Sequence, residues 1–533
     1  MCLHDTAEPL FWSVLINPIF ILVLARRSTL FTGIRRARRF QASPCPEALD
    51  DRCLLSGNVL QTNLVSDLPG VAQLQDPNLV NPWGISESSG SPFWLSDNNA
   101  GVSTLYNAPG APNAPVTLNP LVVSIPAPGA PLGTGGTPTG TVFNINGGAT
   151  GGFKVSGVDK NGNPITASAI FLFATEDGTL VGWNPAVNPT GFDPAKAGKY
   201  AIIVADNSGN NFTVTDPARQ TGAVYKGLTI ASSATPGTPI FASDSNTTTV
   251  LYAANFRSGK VEVYDTNFKA VTLAAGAFAD TNLPGGYAPF NVQVLGSKVY
   301  VTYAKQDANK HDDVSGQGHG FVDVFNLDGT PGLPGGNERL VSRGPLDSPW
   351  GLALAPSSFG DLSGDLLVGN FGSGFIDVFN PTTGEFMGNL KDPDGEPIQI
   401  DGLWALQVGN GGNGGNANTV YFTAGLFNET HGLFGSLAPV APGTPEGPAE
   451  QQRVTAFQDV FQLAVQSLNM DLSSGASKAQ LRQDLLAVDS ALRDFVNAEV
   501  NFVFDSLADR GGHRSSHRRL DDIFSILGSH DRN

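Results

Sequence analysis

The sequence predicts an all-β protein in which one four-stranded unit is repeated. Two observations support this prediction. Residues 348–390 divide into four short segments with strand character, separated by clusters of Gly, Asp and Ser that are typical of hairpin turns. Related segments recur along the rest of the chain. Because one four-stranded unit cannot cover both of its faces, we expect the copies to pack against one another.

The reference unit has strand-like segments at 350–355, 365–369, 375–380 and 385–390. The first copy carries Asn81-Pro82-Trp83-Gly84, which corresponds to Ser348-Pro349-Trp350-Gly351, followed by a strand pair within 93–107. Further copies begin near residues 141, 226, 288 and 401, and the copy at 141 is the most divergent. Six units of about forty residues predict a six-bladed β-propeller, with five or seven blades as alternatives.

The last copy lacks its fourth strand, whereas an isolated strand at 59–67 has no copy of its own. We therefore expect this N-terminal strand to complete the last blade and close the ring, which removes exposed sheet edges. The predicted organisation is a leader at 1–57, the propeller at 58–441, a linker at 442–449 and a helical region at 450–533.

The helical region is predicted from apolar residues at helical spacing, among them Val454, Phe457 and Phe461. A second helix begins at the capping box of Ser477 and Gln480, so the two helices form a hairpin. Its apolar face needs a partner, and we expect the propeller to provide it. A second copy of the chain and a membrane surface are the alternatives.

Composition and charge limit the possible partners. The 533-residue chain has 63 Gly and 37 Pro, only 15% charged residues and a formal net charge of −17. Many Gly and Pro suit short strands joined by tight turns. A strong negative charge argues against a nucleic-acid partner, because binding phosphates requires basic patches.

The N-terminal segment is predicted to direct export. Residues 10–25 are apolar but shorter than the roughly 20 residues of a spanning helix, so we expect no stable transmembrane span in the mature chain. A basic run then precedes Leu49-Asp50-Asp51-Arg52-Cys53-Leu54-Leu55-Ser56. Residues 35–57 thus resemble a leader of exported bacterial proteins, which implies an extracellular, cell-surface or periplasmic location. The alternative is a basic linker.

The repeats also carry a family resemblance. It rests on 62–67, on Asp76-Pro77-Asn78-Leu79-Val80-Asn81-Pro82-Trp83-Gly84, on 364–371, on Ile400-Asp401-Gly402-Leu403-Trp404 and on Thr430-His431-Gly432-Leu433-Phe434-Gly435. Over about 57–437 the chain resembles uncharacterised secreted bacterial proteins, some with a PEP-CTERM sorting signal, and it is distantly similar to NHL repeats. The resemblance implies a secreted propeller-like domain and no particular chemistry.

In a propeller, the loop between strands two and three and the loop entering strand one open on the same face, where ligands usually bind. Polar residues are predicted to gather at this channel mouth. The candidates are Asp97, Asn99, Asp177, Asn255, His319, Asn370, Asp401, Glu429 and His431. Asn98, Glu176 and the loop 305–320, with Asp307, His311, Asp312 and Asp313, belong to the same face.

Converging oxygen ligands suit calcium, and Asp97, Asn255, Asn370 and Asp401 are its predicted ligands. Added histidine permits zinc or another divalent metal. Such a site resembles that of a lactonase-type hydrolase, with Glu429 or Asp401 as general base. Asp and Asn also stabilise tight turns by bonding their own backbone, so a structural role remains the alternative for each residue.

Two functions follow from this pattern. The leading hypothesis is a non-enzymatic binding or scaffold module at the cell surface or outside the cell, with a small molecule, a glycan or a protein as its partner. The second is a metal-dependent hydrolase that works at the mouth of the channel. The two differ in whether the acidic side chains point into one pocket or fold back onto their own loops.

Overall fold

The computed structural model describes residues 58–440, except 109, 111–114, 149–150, 210–221 and 394, together with positions 465, 468 and 488. The described chain is almost entirely β-structure. Its described strands form seven sheets, six of which are arranged as the blades of a propeller, and this confirms the prediction of a six-bladed all-β fold. Helix within 58–440 is confined, in the described part, to the short turns Pro194–Lys196, Gly360–Leu362 and Leu426–Glu429.

The first three blades differ in their outer strands. Blade one consists of Pro82–Ser86, Phe93–Asp97, Val102–Asn107, Thr117–Leu118 and Val123–Ser124. Blade two consists of Pro138–Phe143, Phe171–Thr175, Thr179–Trp183 and Ile202–Asp206, and the separate hairpin Lys154–Val158 and Pro164–Ser168 lies between its first two strands in sequence. Blade three has three described strands, Tyr225–Ser232, Thr249–Asn255 and Lys260–Tyr264.

The other three blades have four or more strands. Blade four consists of Tyr287–Leu295, Lys298–Lys305, Gly320–Asn326 and Arg339–Ser342. Blade five consists of Pro349–Leu354, Leu366–Asn370, Ile376–Phe379 and Phe386–Asn389. Blade six combines Leu403–Val408, Val420–Gly425 and His431–Pro439 with Val59–Ser66 and Leu74–Gln75 from the start of the described chain. Val59–Ser66 pairs antiparallel with His431–Pro439.

The first strand of each blade lies nearest to the axis. These six inner strands contact one another from blade to blade, and the inner strand of blade six contacts that of blade one. They therefore line a central channel. We call the end where the inner strands begin the entry end and the end where they finish the exit end. The turn between strands two and three lies at the entry end, because Pro82 at the start of strand one pairs with Asp97 at the end of strand two.

Each inner strand has an irregularity in its register near its start. The bulge residues, one in each blade, are Trp83, Thr139, Lys226, Phe290, Trp350 and Trp404. In blades one, two and six the bulge also includes the residue that follows. A bulge redirects side chains out of the alternating pattern of the strand. Glycine follows the bulge residue where the neighbouring inner strand approaches closely: a Cβ on Gly84 would lie 2.6 Å from the Thr139 carbonyl oxygen, and one on Gly351 would lie 2.5 Å from that of Trp404.

The remaining predictions about domains fall largely outside the described residues. The leader at 1–57 and the linker at 442–449 lie outside them, as does the helical hairpin at 450–533 apart from positions 465, 468 and 488. Among the residues that are described, no helix has the length and apolar character needed to cross a membrane.

Candidate functional site at the channel mouth

Four aromatic side chains close the channel just below its entry end. Trp83, Phe290, Trp350 and Trp404 come from four different blades and are each at most 4% exposed. Trp83 and Trp404 stack with ring centroids 3.6 Å apart, and Trp350 meets both edge-on at 6.3 and 5.9 Å. We call these four residues the aromatic cluster. Because the four rings come from four blades and contact one another, they pack the blades together around the axis.

Lys226 occupies the equivalent position in blade three, and its ammonium group lies against the aromatic cluster. Its side chain is 2% exposed, and Nζ lies 4.9 Å from the ring centroid of Trp83. Nζ donates to Glu176 Oε1 and lies 3.4 Å from Asp312 Oδ1. Burial acts to lower the pKa of Lys226, but the negative charges of Glu176 and Asp312 outweigh burial and raise it. The lysine is therefore a buried cation.

Glu176 and Glu429 approach this cation from blades two and six. Glu176 accepts a bond of 2.8 Å from Asn98 Nδ2, and Glu429 Oε2 accepts one of 2.7 Å from Asn81 Nδ2. Asn99 donates to the Glu429 backbone oxygen at 2.6 Å. Burial, reinforced by the negative charge of Glu176, raises the pKa of Glu429 to about 7, although Lys226 and Asn81 act to lower it. Glu429 therefore exchanges its proton near neutral pH.

The backbone that presents Glu429 is strained. Phe427, Asn428 and Glu429 have φ angles of 53°, 52° and 68°, in the left-handed region that side chains with a Cβ rarely adopt. Each such residue costs about 1–3 kcal/mol, and strain of this kind clusters at functional sites. Asn81 is also left-handed, with φ of 49°. These four strained residues hold Glu429 and its hydrogen-bond partner at the mouth.

The long loop of blade four supplies the remaining carboxylates. The Asp312 side chain is 67% exposed and accepts a bond of 2.7 Å from His311 Nδ1. Asp313 accepts from the Ser348 hydroxyl and, at 3.2 Å, from that of Ser315. Burial raises the pKa of Asp313, although Ser348 and Lys226 act to lower it. We call Glu176, Asp312, Asp313 and Glu429 the acidic rim.

Three predicted metal ligands bond within their own blades instead. Asp97, Asn255 and Asn370 end the second strands of blades one, three and five and are buried. Asp97 accepts from Thr104 N at 2.9 Å, Asn255 donates to Glu262 at 2.7 Å, and Asn370 donates to Asp377 at 2.9 Å. Burial raises the pKa of Asp97 well above its usual range. These contacts are those expected of residues that stabilise a turn.

Four other candidates bond individually to neighbouring segments of the protein. Asp401 accepts from Phe427 N at 3.0 Å, and His319 Nδ1 lies 2.8 Å from the Val314 carbonyl oxygen. His431 Nδ1 lies 2.6 Å from Asp67 Oδ2. Asp177 accepts from Thr137 N at 2.8 Å, and burial raises its pKa to about 6. Of the nine predicted channel-mouth residues, Asn99 and Glu429 are thus the pair that the described hydrogen bonds bring together.

Sequence reasoning missed Lys226 as a site residue. The signal was available, because Lys226-Gly227 aligns with Trp83-Gly84 and Trp350-Gly351 in the repeats. A charged residue at a position that is otherwise aromatic points to a local function. Asn81 had no comparable signal, since its partner Glu429 lies more than 300 residues away in sequence.

One group of side chains in the described part has the composition of a metal site. Single donor atoms of Glu176, His311 and Asp312 all lie within 4.8 Å of one another. Two carboxylates and an imidazole suit a divalent cation. The Lys226 ammonium, however, already contacts both carboxylates. A metal ion bound there would have to displace this positive charge.

The chain has clear relatives in a giant virus. It is 30% identical over 379 residues to the uncharacterised protein R648 of Acanthamoeba polyphaga mimivirus, a match that covers 70% of this chain and 78% of that protein. It is 31% identical over 379 residues to the uncharacterised protein L690 of the same virus, covering 70% and 84%. The chain belongs to this family. No protein-family model matches the sequence.

Membership of the R648 and L690 family brings no activity with it, and the resemblance to secreted bacterial proteins stays a prediction. Solved structures with a similar course of the chain include an α-L-arabinanase of Penicillium chrysogenum, 11% identical, covering 72% of this chain and 98% of that one, with a TM-score of 0.38. An aldose sugar dehydrogenase of Streptomyces coelicolor is 12% identical, covers 71% and 98%, and has a TM-score of 0.36. Likenesses at this level carry no argument about function.

Proposed function

We propose that this protein is an exported, non-enzymatic binding module that acts outside the cell or at its surface, and that its ligand carries positive charge. The ligand binds at the channel mouth, on the acidic rim. The observation that carries the proposal is the imbalance of charge there. Four carboxyl groups from three blades surround one buried ammonium group, and the Asp312 side chain is largely exposed to solvent.

The charge of the whole chain supports the same ligand class. A net charge of −17 attracts cations over a distance of about one Debye length, and a recessed acidic site focuses that attraction. Lys226 limits how much negative charge the rim accumulates, which leaves the outward-facing Asp312 and the titrating Glu429 as the groups that a cation meets. A basic segment of a protein or a polyamine has the required chemistry.

The test is calorimetric binding of penta-lysine at low and at physiological ionic strength. We expect binding that weakens with salt and that falls at least fivefold in Asp312→Asn/Glu429→Gln. The matched control is Asp361→Asn/Glu385→Gln, which removes two exposed carboxyl groups away from the mouth and is expected to bind like the wild type. Equal losses in both variants would show that only the overall charge matters, and no binding at low salt would overturn the proposal.

The second candidate is the metal-dependent hydrolase, which the cluster of Glu176, His311 and Asp312 favours. In that case those residues hold a divalent ion that polarises a carbonyl group, and Glu429 serves as the base. Elemental analysis of the purified protein decides between the two. A stoichiometric metal that is lost in His311→Ala, with melting lowered by chelation, supports the hydrolase. Protein free of metal that melts unchanged in the presence of chelator excludes it.

We also propose that Val59–Ser66 closes the propeller that carries this site. The proposal is supported by its register with His431–Pro439, from Val59 opposite Pro439 to Ser66 opposite Leu433. Deleting residues 1–68 is expected to abolish cooperative unfolding, whereas deleting 1–57 is expected to leave it intact. Cooperative melting of the shorter chain at the wild-type temperature would contradict closure by this strand.

A further inference from the structure

The exit end of the channel contains a cavity that the proposed function does not use. Its volume is about 370 Å³, and the inner strands of all six blades line it. Trp350 belongs both to its lining and to the aromatic cluster, so the cavity begins where the aromatic cluster ends. A cavity of this size holds a small organic molecule, since ligand pockets range from about 300 to 1,000 Å³.

The walls of this axial cavity combine aliphatic side chains with polar groups, and the polar groups contribute the larger share of the exposed surface. Aliphatic side chains from every blade contribute, among them Ile85, Val142, Leu228, Val294, Leu352 and Leu406. The polar side chains already have protein partners in part: Ser86 and Thr141 bond each other at 3.1 Å, and Thr229 accepts from Val294 N at 3.1 Å. Aliphatic side chains interspersed with polar groups suit a small ligand that has both an apolar and a polar part.

Glu87 is the one titratable residue among the described residues of this lining. Its Oε1 accepts a bond of 2.8 Å from Gln407 Nε2, and its Oε2 is buried with no hydrogen-bond partner among the described residues. Burial raises the pKa of Glu87 to about 8, against the lowering effect of the Gln407 bond. An unpaired buried oxygen is unfavourable, and no basic residue in the described lining supplies a counter-charge.

We infer that the axial cavity is a second ligand site, specific for a small organic cation with one ammonium group on an apolar body. The ammonium group pairs with the Glu87 carboxylate and supplies the missing donor and the missing positive charge. The apolar body fills the space between the aliphatic walls and Trp350. Binding transfers the proton of Glu87 to solvent, because the carboxyl group must ionise to pair with the cation.

The first experiment compares benzylamine with benzyl alcohol, which has a similar shape but no charge. We expect calorimetry to show the amine binding at least tenfold more tightly than the alcohol. In Glu87→Gln, which keeps a partner for Gln407, the amine is expected to lose at least tenfold in affinity. The control Glu385→Gln changes an exposed glutamate in the turn between the third and fourth strands of blade five, and it is expected to bind like the wild type.

A second measurement uses the wild-type chain alone and so does not depend on the folding of a variant. At pH 6 about one Glu87 in a hundred is ionised, and at pH 8 about half are, so the affinity for benzylamine should rise about 50-fold between these values. Titrations in buffers of different ionisation enthalpy should show nearly one proton released per amine at pH 6. Alkyl amines remain protonated throughout this range.

Three results would overturn the inference. The first is an alcohol that binds as well as the amine, which would make the cavity a site for neutral molecules. The second is unchanged amine binding in Glu87→Gln, which would place the amine on the acidic rim. The third is no heat of binding at millimolar benzylamine at pH 8.

Discussion

The two ends of the channel are built from the same six inner strands, yet they treat buried charge in opposite ways. At the entry end Lys226 and Glu176 neutralise each other as an ion pair, and Asp312 extends the pairing. At the exit end Glu87 has no charged partner in the described lining, and its carboxyl group stays neutral by holding its proton up to a pKa of about 8. Pairing and protonation are the two ways to bury an ionisable group.

The difference follows from which parts of the chain reach each end. Loops that enter the first strands and connect the second to the third converge on the entry end, so they bring carboxylates and amides from several blades together around Lys226 of an inner strand. The axial cavity is lined mainly by the strands themselves, which contribute aliphatic and uncharged polar side chains. Long loops allow charges to meet, whereas the strands leave a single ionisable group without a charged partner.

Truncating the aromatic cluster, which lies between the two ends of the channel, should have the largest effect on stability. Trp404→Ala removes the stacking on Trp83 and on Phe371, whose ring centroid is 4.0 Å away, and the bond of 3.0 Å from Trp404 Nε1 to Asn81. We expect a loss of about 4 kcal/mol in the free energy of unfolding, because a buried tryptophan leaves a large cavity. Urea denaturation measures it. Phe386→Ala, at a position 44% exposed, should cost less than about 1 kcal/mol, and equal losses would contradict a central role for the aromatic cluster.

Removing the cation at the entry end should have the next largest effect. Lys226→Met preserves the length of the side chain but leaves Glu176 buried without a counter-charge, which we expect to cost about 3 kcal/mol at pH 7. Lys226→Met/Glu176→Gln should recover most of this loss. A double-mutant cycle by urea denaturation measures the coupling between the two residues, and additive losses would show that they do not act as a pair.

At the exit end, the effect of replacing Glu87 on the free energy of unfolding depends on pH. The folded-state pKa of Glu87, about 8, lies above its usual value of 4.5, so the folded chain binds more protons than the unfolded chain between these values. Stability contributed by the protonated group is present at low pH and is lost as pH rises through 8. Relative to the wild type, Glu87→Gln should therefore gain about 2 kcal/mol between pH 6 and pH 8 in urea denaturation. A constant difference across this range would contradict the raised pKa.

The smallest expected effect is a shift in one pKa, and it tests whether the two ends of the channel are electrostatically independent. Lys226 acts to lower the pKa of Glu429, so Lys226→Met should move the titration of Glu429 upward from about 7. The titration of Glu87 should not move, because Lys226 is absent from the groups that influence its pKa. Infrared spectra of the carboxyl band, with Glu87→Gln and Glu429→Gln used to assign the signals, measure both. Parallel shifts would show that the aromatic cluster does not insulate one end from the other.

The repeated fold was accessible from the sequence because its signals are local. Turn clusters and short apolar runs marked the strands of blade five within about two residues of their observed ends, such as 375–380 for Ile376–Phe379. The copy predicted to begin near residue 288 is blade four, whose first strand is Tyr287–Leu295. The recurrent tryptophans were likewise visible as repeats.

The site was less accessible because its contacts are not local. Asp97, Asn255 and Asn370 have the residue types of a metal site, and the sequence alone does not distinguish that role from the turn bonds seen here. The pairs that organise the two ends join distant parts of the chain: Lys226 and Glu176 across blades, and Glu87 and Gln407 from opposite ends of the propeller sequence. The left-handed conformation of Phe427, which helps to position Glu429, carries no signal in that residue type.

The pairing of Val59 with Pro439 has a mechanical consequence. These two residues face each other at one end of an antiparallel pair, so the chain enters and leaves the propeller at the same point. Tension applied between the flanking segments would load the hydrogen bonds of that pair one after another, from Val59 towards Ser66, instead of all at once. Under the proposed closure by Val59–Ser66, the ring would open at low force, however well its blades resist heat.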